Sequence, residues 1–498
     1  MHHPVQLAIF AAGSLAAGAA ALALRRRTAR PVAFVLAGAC VFVAALFALK
    51  ILPLLLREEG FLRSDGLYPL WARWETSPAP AWILLALVAG AGLVALLWGL
   101  TERAGPGLLV AALALTGTLW IALALSNGHG VSGLTGPFRR DADYQADVPR
   151  FASLPEIWRT YVDRQAELSL HGRTHPPGAV TVLWVLDRLL GGSLVATCLA
   201  VVLLSAAGLL PVLMLARACL DDAGARVAAV LWTTTPAVAL YGATSMDMVF
   251  ALPLVAAAAA FAWGLRTPPP RRAAGWGVAA GTALALGSLF TFSSAVLAVA
   301  LLIASALVGR RHPEDRPRLT LLLGATGLTC FALLVSLRAA GFDWLACLDT
   351  ARRIDAADHP ATLSPSYWLL TRLMGVLDVL LLAGPAGAAL WLGALRRRAF
   401  DRREEVEGAP AVSPRLIGVA LGRGTAVAVA AFLLLGIYKI GETGRIFLFL
   451  MPLIPILAVA RLQRAWPTPR SWVRGAVALA ALGLAQAALF EWLLDTRW

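Results

Sequence analysis

Lysine is almost absent from this 498-residue chain: of 43 basic residues, only Lys50 and Lys439 are not arginine. Charge of either sign is scarce, at 14% of residues against 59% hydrophobic, and mean hydropathy is +0.73. A soluble domain carries about 25% charged residues, so lipid rather than water must contact most of this surface. Cysteine is sparse too: Cys40, Cys198, Cys219, Cys330 and Cys347 are scattered, with no C-x-x-C and no metal-ligand spacing. That excludes a disulfide scaffold and a thiolate centre, and leaves small packing residues. No repeat of fixed period is present, which excludes a solenoid. No basic run is interleaved with stacking aromatics, so a nucleic-acid partner is not expected.

What the chain does have is apolar length. Runs of about 20 apolar residues recur from end to end, each long enough to cross a hydrocarbon core of about 30 Å. Only helices can do this in so many separate segments, because every backbone polar group must be satisfied within the span. The expected fold is an all-α polytopic membrane protein. The first run (residues 5–24) is followed by Arg25, Arg26 and Arg27 and has no small-residue cleavage site. It reads as a retained span, not a signal peptide.

The net charge of +14 is then a matter of orientation, since arginine-rich loops stay cytoplasmic. With "RRRTAR" (25–30) inside, loop 57–80 falls outside, "TERAGP" (101–106) inside, and the long loop 126–178 outside. The segment "AVTVLWVLDRLLGG" (179–192) is too short to cross and contains Asp187 and Arg188. If it lies in the interface, the arginine-rich loops 217–226, 266–272, 310–318, 396–405 and 461–470 all land inside. If it crosses, all of them land outside. The first choice gives about 14 spans with both termini outside. The polar residues that orientation does not explain then share the outer face: "RRDADYQAD" (139–147), "HGRTHPP" (171–177), "TSMD" (244–247), "ARRIDAADHP" (351–360) and "YKIGETGR" (438–445).

Each of these stretches offers chemistry. Asp141 and Asp143 form a D-x-D that could hold a divalent cation such as Mg or Mn, or one of them could be a general base; a solvated acidic turn is the plainer reading. In "HGRTHPPG", Pro176 and Pro177 suit the start of a helix over 179–191. His171, Arg173 and His175 at its N-terminus resemble a phosphate site, through dipole, guanidinium fork and imidazole donor. Gly172 and the prolines argue against a helix at the histidines themselves, so the H-x-x-x-H spacing gives no zinc pair. Lys439, Glu442 and Arg445 lie in one turn, where a Glu–Arg pair would hold a second anion contact. Asp247 stands at the outer start of a span and could simply complement the helix dipole. Asp378, inside an apolar run, requires a partner. The stretch 351–360 could form part of a lid.

These residues resemble a polytopic glycosyltransferase of the GT-C type, in particular the lipid-phosphate-sugar-dependent protein mannosyltransferase and aminoarabinose transferase kind. The resemblance rests on a large external loop that opens with "DADY" (141–144) and closes with "HPPG" (175–178), with support from "TPAVALYGATSMD" (235–247) and "GETGRIFLFLMP" (441–452). It divides the chain into N-terminal spans outside the resemblance (1–106), a GT-C-like core with its external loop (107–460), and a C-terminal loop and span (461–498).

The resemblance implies interfacial helices in that loop and a polyprenyl-phosphate sugar as donor. It implies Asp143 or Asp141 as base, and Arg173, His175 and Arg445 facing the phosphate, with His171 and Lys439 beside them. Tyr144, Asp147, Glu442 and Asp247 would support the site. Tyr144 directly follows Asp143, which favours Asp143 as the base. The expected reaction transfers a sugar to an acceptor hydroxyl (on a glycan, lipid or protein) with inversion. The alternative is a transporter or flippase of a lipid-linked or anionic solute, although the visible internal repeat of many transporters is lacking. The Arg- and Ala-rich composition points to a high-GC bacterial source, and so to the plasma membrane.

Overall fold

The computed structural model describes residues 72–74, 80–100, 105–128, 130–358, 365–395, 412–435, 442–466 and 468–496. Strand β1 (Ala72–Trp74) is followed by the long apolar helices α1 (Pro80–Gly99) and α2 (Pro106–Asn127). The large loop then holds α3 (Val131–Thr135), 3₁₀ turns at Pro137–Arg139 and Tyr144–Arg150, α4 (Leu154–Arg164), α5 (Leu170–Thr174) and α6 (Gly178–Leu189). Next come α7 (Leu194–Ala207), α8 (Leu209–Cys219), α9 (Asp222–Thr233) and α10 (Pro236–Tyr241). Long helices α11 (Asp247–Arg266), α12 (Pro270–Ser288), α13 (Ser294–Arg311) and α14 (Arg316–Ala339) lead to the charged α15 (Trp344–Asp358). The remainder is α16 (Pro365–Leu382), α17 (Pro385–Ala394), α18 (Pro414–Leu435), α19 (Thr443–Ile446), α20 (Leu453–Ala465) and α21 (Pro469–Leu493), closed by β2 (Leu494–Thr496). β2 pairs antiparallel with β1, Arg73 opposite Asp495, a small ladder that the sequence did not announce.

The protein is an all-α polytopic membrane protein in which ten helices of the described residues are long and apolar enough to cross a bilayer. Two stretches between the expected loops do not meet that measure. Residues 227–243 are split between α9 and α10, because Pro236 lacks an N–H and disfavours helix in the residue before it. The other stretch is α12, diluted by Gly and Arg. The first two expected spans, Arg25–Arg27, and the loops 57–71 and 396–405 lie outside the described residues.

Small residues let the helices approach. A Cβ on Gly277 of α12 would stand 2.6 Å from Leu322 O of α14, and one on Gly281 would stand 2.4 Å from Thr326 O. Without water to drive association, such close backbone packing is what holds helices together in lipid. Outward faces are apolar instead: Leu328 and Phe331 of α14 are exposed. The segment expected in the interface is indeed a short helix, α6, which buries Val180 and Leu183 and leaves Leu189 outside. Trp184 Nε1 pins it by donating to Phe151 O at 2.9 Å.

Candidate active site

The site is built on one buried carboxylate. Asp147, fully buried, accepts from Ser169 N at 2.9 Å and from Ser169 Oγ at 2.6 Å, with Arg150 Nε 3.4 Å away. Burial raises its carboxyl above the usual carboxylate range; the Ser169 bonds and Arg150 offset only part of this. Ser169 Oγ in turn accepts from Gly172 N at 3.0 Å, capping α5. A Cβ on residue 172 would come within 2.2 Å of Asp147 Oδ2, so only glycine fits there.

The expectation of no helix at the histidines is therefore corrected: Ser169 caps one helical turn over Leu170–Thr174, and Gly172 is what lets it lie on Asp147. His175 ends that turn, with Nδ1 3.2 Å from His171 O. Tyr161 OH lies 2.9 Å from Gly172 O and 3.2 Å from His175 O, and Gln165 Nε2 donates to Arg173 O (3.0 Å) and to Cys347 O (3.1 Å). The turn is thereby fixed to α4 and to α15.

Pro176 and Pro177 do lead into α6, but its first N–H does not await an anion. Gly178 N donates to Leu289 O at 2.7 Å, and a Cβ there would meet the same oxygen at 2.5 Å. Glycine at 178 admits the 289–293 loop, which brings Thr291 and Ser293 to the site.

Asp143 caps its own 3₁₀ turn, accepting from Gln145 N at 3.2 Å, and its Oδ2 is 3.7 Å from His171 Nδ1. Tyr144 follows, its ring centroid 5.3 Å from that of His171, and 5.8 Å from those of His175 and of Phe250. Burial and then the charge of Asp247 push its phenol well above the ordinary value, so it stays a neutral hydroxyl.

On the other side of Tyr144 stands an ion pair between distant segments. Arg445 Nε is 3.1 Å from Asp247 Oδ2, and both side chains are largely buried, 7% and 15% exposed. Asp247 also bonds Ser245 Oγ, whose oxygen accepts from Asp247 N at 3.0 Å. Arg445 thus pairs with Asp247 of α11, where the sequence suggested Glu442; Glu442 adds charge from farther off. The partner required by Asp378 is the same turn: Gly444 N donates to Asp378 Oδ2 at 2.7 Å, fixing the backbone beside Arg445.

These groups open on a cavity of about 510 Å³. Of the expected residues, His175, Asp247, Glu442 and Arg445 line it; Asp141, Asp143, His171 and Arg173 do not. Asp141 is exposed and Arg173 half-buried on α5, while Lys439 lies outside the described residues. Sequence reasoning did not single out Arg352 and Asp355, which line the cavity from α15 with Trp344, Leu348 and Ala351. The signal was there: these positions recur at helical spacing and share one face. Asp143, with one oxygen on Gln145 and the other toward His171, gains no third His, Cys or carboxylate ligand with Asp141 among the described residues. No step below passes through a divalent ion.

Residues 174–336 match the family model of dolichyl-phosphate-mannose-protein mannosyltransferase. The match opens at Thr174, inside the "HGRTHPP" turn, and includes His175, Asp247 and the 289–293 loop. Asp143, Arg352, Glu442 and Arg445 lie outside it. Among solved structures, the chain is similar to the Archaeoglobus fulgidus oligosaccharyltransferase complex with Zn and sulfate: 16% identity over 76% of this chain and 53% of that one, TM-score 0.48. It is similar to ArnT from Cupriavidus metallidurans in the apo state, at 19% identity over 64% of this chain and 56% of that one, TM-score 0.42. It is also similar to the Archaeoglobus fulgidus oligosaccharyltransferase AglB in complex with an inhibitory peptide and a dolichol-phosphate, at 14% identity over 77% and 54% of the two chains, TM-score 0.42. The chain spans about half the length of the solved structures it matches. No curated protein sequence matches it.

Proposed function

We propose that this protein is a membrane glycosyltransferase that moves a sugar from a polyprenyl-phosphate donor to an acceptor hydroxyl on the extracytoplasmic side of the plasma membrane. The observation that carries the reading is the buried Arg445–Asp247 pair opening, with His175, onto a large cavity with an aromatic wall that includes Phe250, Phe432 and Phe449. An isoprenoid needs apolar walls, and its phosphate needs fixed donors that still act when it becomes the leaving group. A guanidinium oriented by a carboxylate supplies such donors with little reorganisation. Asp143, held beside His171, is the proposed base; it takes the acceptor proton as the hydroxyl attacks the anomeric carbon, and one displacement inverts that centre. The acceptor then enters on the Asp143 face of Tyr144 and the donor on the Arg445 face.

A second assignment of the base has one observation in its favour. Glu442 lines the cavity and its side chain makes no hydrogen bond, whereas Asp143 does not line it.

Steady-state kinetics with a panel of polyprenyl-phosphate sugars in lipid nanodiscs test the reading. Arg445→Gln is expected to lower kcat/KM about a hundredfold or more, as loss of a donor to developing charge does. A variant as active as the wild type would remove Arg445 from the donor site and the main support for this function.

A further inference from the structure

The cavity carries less positive charge than a phosphate needs. Among the described residues that line it, three are carboxylates, Asp247, Glu442 and Asp355, and two are guanidiniums, Arg445 and Arg352. Arg445 is already paired with Asp247 at 3.1 Å, and that pair is close to neutral when seen from the cavity. An anion beside it would also face Glu442, whose charge acts on the same guanidinium. Desolvating a phosphate there is offset only by a cation not yet committed.

Arg352 is such a cation. The two adjacent arginines of α15 differ in their engagements: Arg353 is 3.1 Å from Asp349 along its own helix and 3.4 Å from Thr350 Oγ1. The Arg352 side chain has neither ion pair nor hydrogen bond, is exposed, and lines the cavity. It comes from an element separate from those that carry His175, Asp247 and Arg445. Its helix face changes character along its length, from apolar Trp344 and Leu348 to charged Arg352 and Asp355. An amphiphilic phosphate matches that gradient, with its isoprenoid on the apolar end.

We propose that Arg352 is a second phosphate-binding residue of the donor site, a role that rests on the donor reading above. Its planar fork grips the phosphate of a polyprenyl phosphate from α15, while the Arg445–Asp247 pair fixes the opposite contact.

Equilibrium binding to the full chain in neutral-lipid nanodiscs tests this, with undecaprenyl phosphate and its uncharged alcohol as probes. The wild type is expected to prefer the phosphate. Arg352→Ala should lose about tenfold or more of phosphate affinity, keep alcohol binding, and keep its thermal midpoint, because the side chain is exposed. Arg352→Lys should recover part of the loss, as a point charge without the fork. Phosphate binding by Arg352→Ala as tight as by the wild type, with the wild type still preferring phosphate, would overturn the role of Arg352 and leave the donor reading standing. A wild type that binds both probes equally would overturn the donor reading, and this role with it. Inorganic phosphate should compete only weakly; competition as strong as that of the lipid would make this a site for free phosphate and overturn the lipid assignment.

Discussion

Asp147 and Gly172 depend on each other: the carboxylate that holds Ser169 leaves no room for a Cβ on the turn above it. The same burial gives a test by pH. A carboxyl whose value is raised on folding binds its proton more tightly in the folded chain, so stability from this group is fullest below its ordinary value near 3.8 and is lost as pH rises through the raised one. Asp147→Asn removes that slope. Between about pH 4 and pH 7, the thermal midpoint of the wild type should fall relative to that of Asp147→Asn; parallel curves would contradict the assigned burial. Residue types and topology made His175, Asp247 and Arg445 legible as one group, and the structure brings them to one cavity. Their partners were not legible. Asp247 chooses Arg445, and Asp378 chooses Gly444 N, because helices remote in sequence pack side by side, and no local spacing records that.

At the scale of elements, short helices and glycines decide what the long helices can do. α6 was legible because a segment too short to cross carries Asp187 and Arg188; α5 was not, since a one-turn helix capped by Ser169 and seated on Asp147 owes little to propensity. The break between α9 and α10 was not recognised either, although Pro236 marks it. The contact between α12 and α14 offers a controlled comparison. Gly281→Ala places a Cβ 2.4 Å from Thr326 O, whereas Gly275 on the same helix has nothing within 4 Å. The first should cost about 1–3 kcal/mol through forced helix separation. Gly275→Ala should gain up to about 1 kcal/mol from helix propensity. Unfolding midpoints in nanodiscs check both; a stabilising Gly281→Ala would refute the close packing.

The whole molecule is a bundle of apolar helices whose large described cavity gathers polar side chains from four separate segments: the "HGRTHPP" turn, α11, α15 and the turn around α19. Its membrane character followed directly from composition and run length. The arrangement of the cavity did not, since which helix faces meet is set by packing that hydropathy does not encode. The central claim is that this cavity serves sugar transfer from a lipid phosphate, with Asp143 as the base. Single-turnover release of polyprenyl phosphate from a bound donor panel, in wild type and in Asp143→Asn, tests it most directly. The account predicts release by the wild type and a loss of about a hundredfold or more in the variant, with donor binding unchanged. Release that survives in Asp143→Asn but is lost in Glu442→Gln would move the base to the cavity wall. Binding without release from any donor, joined to movement of the lipid between leaflets, would contradict the account and make the protein a transporter.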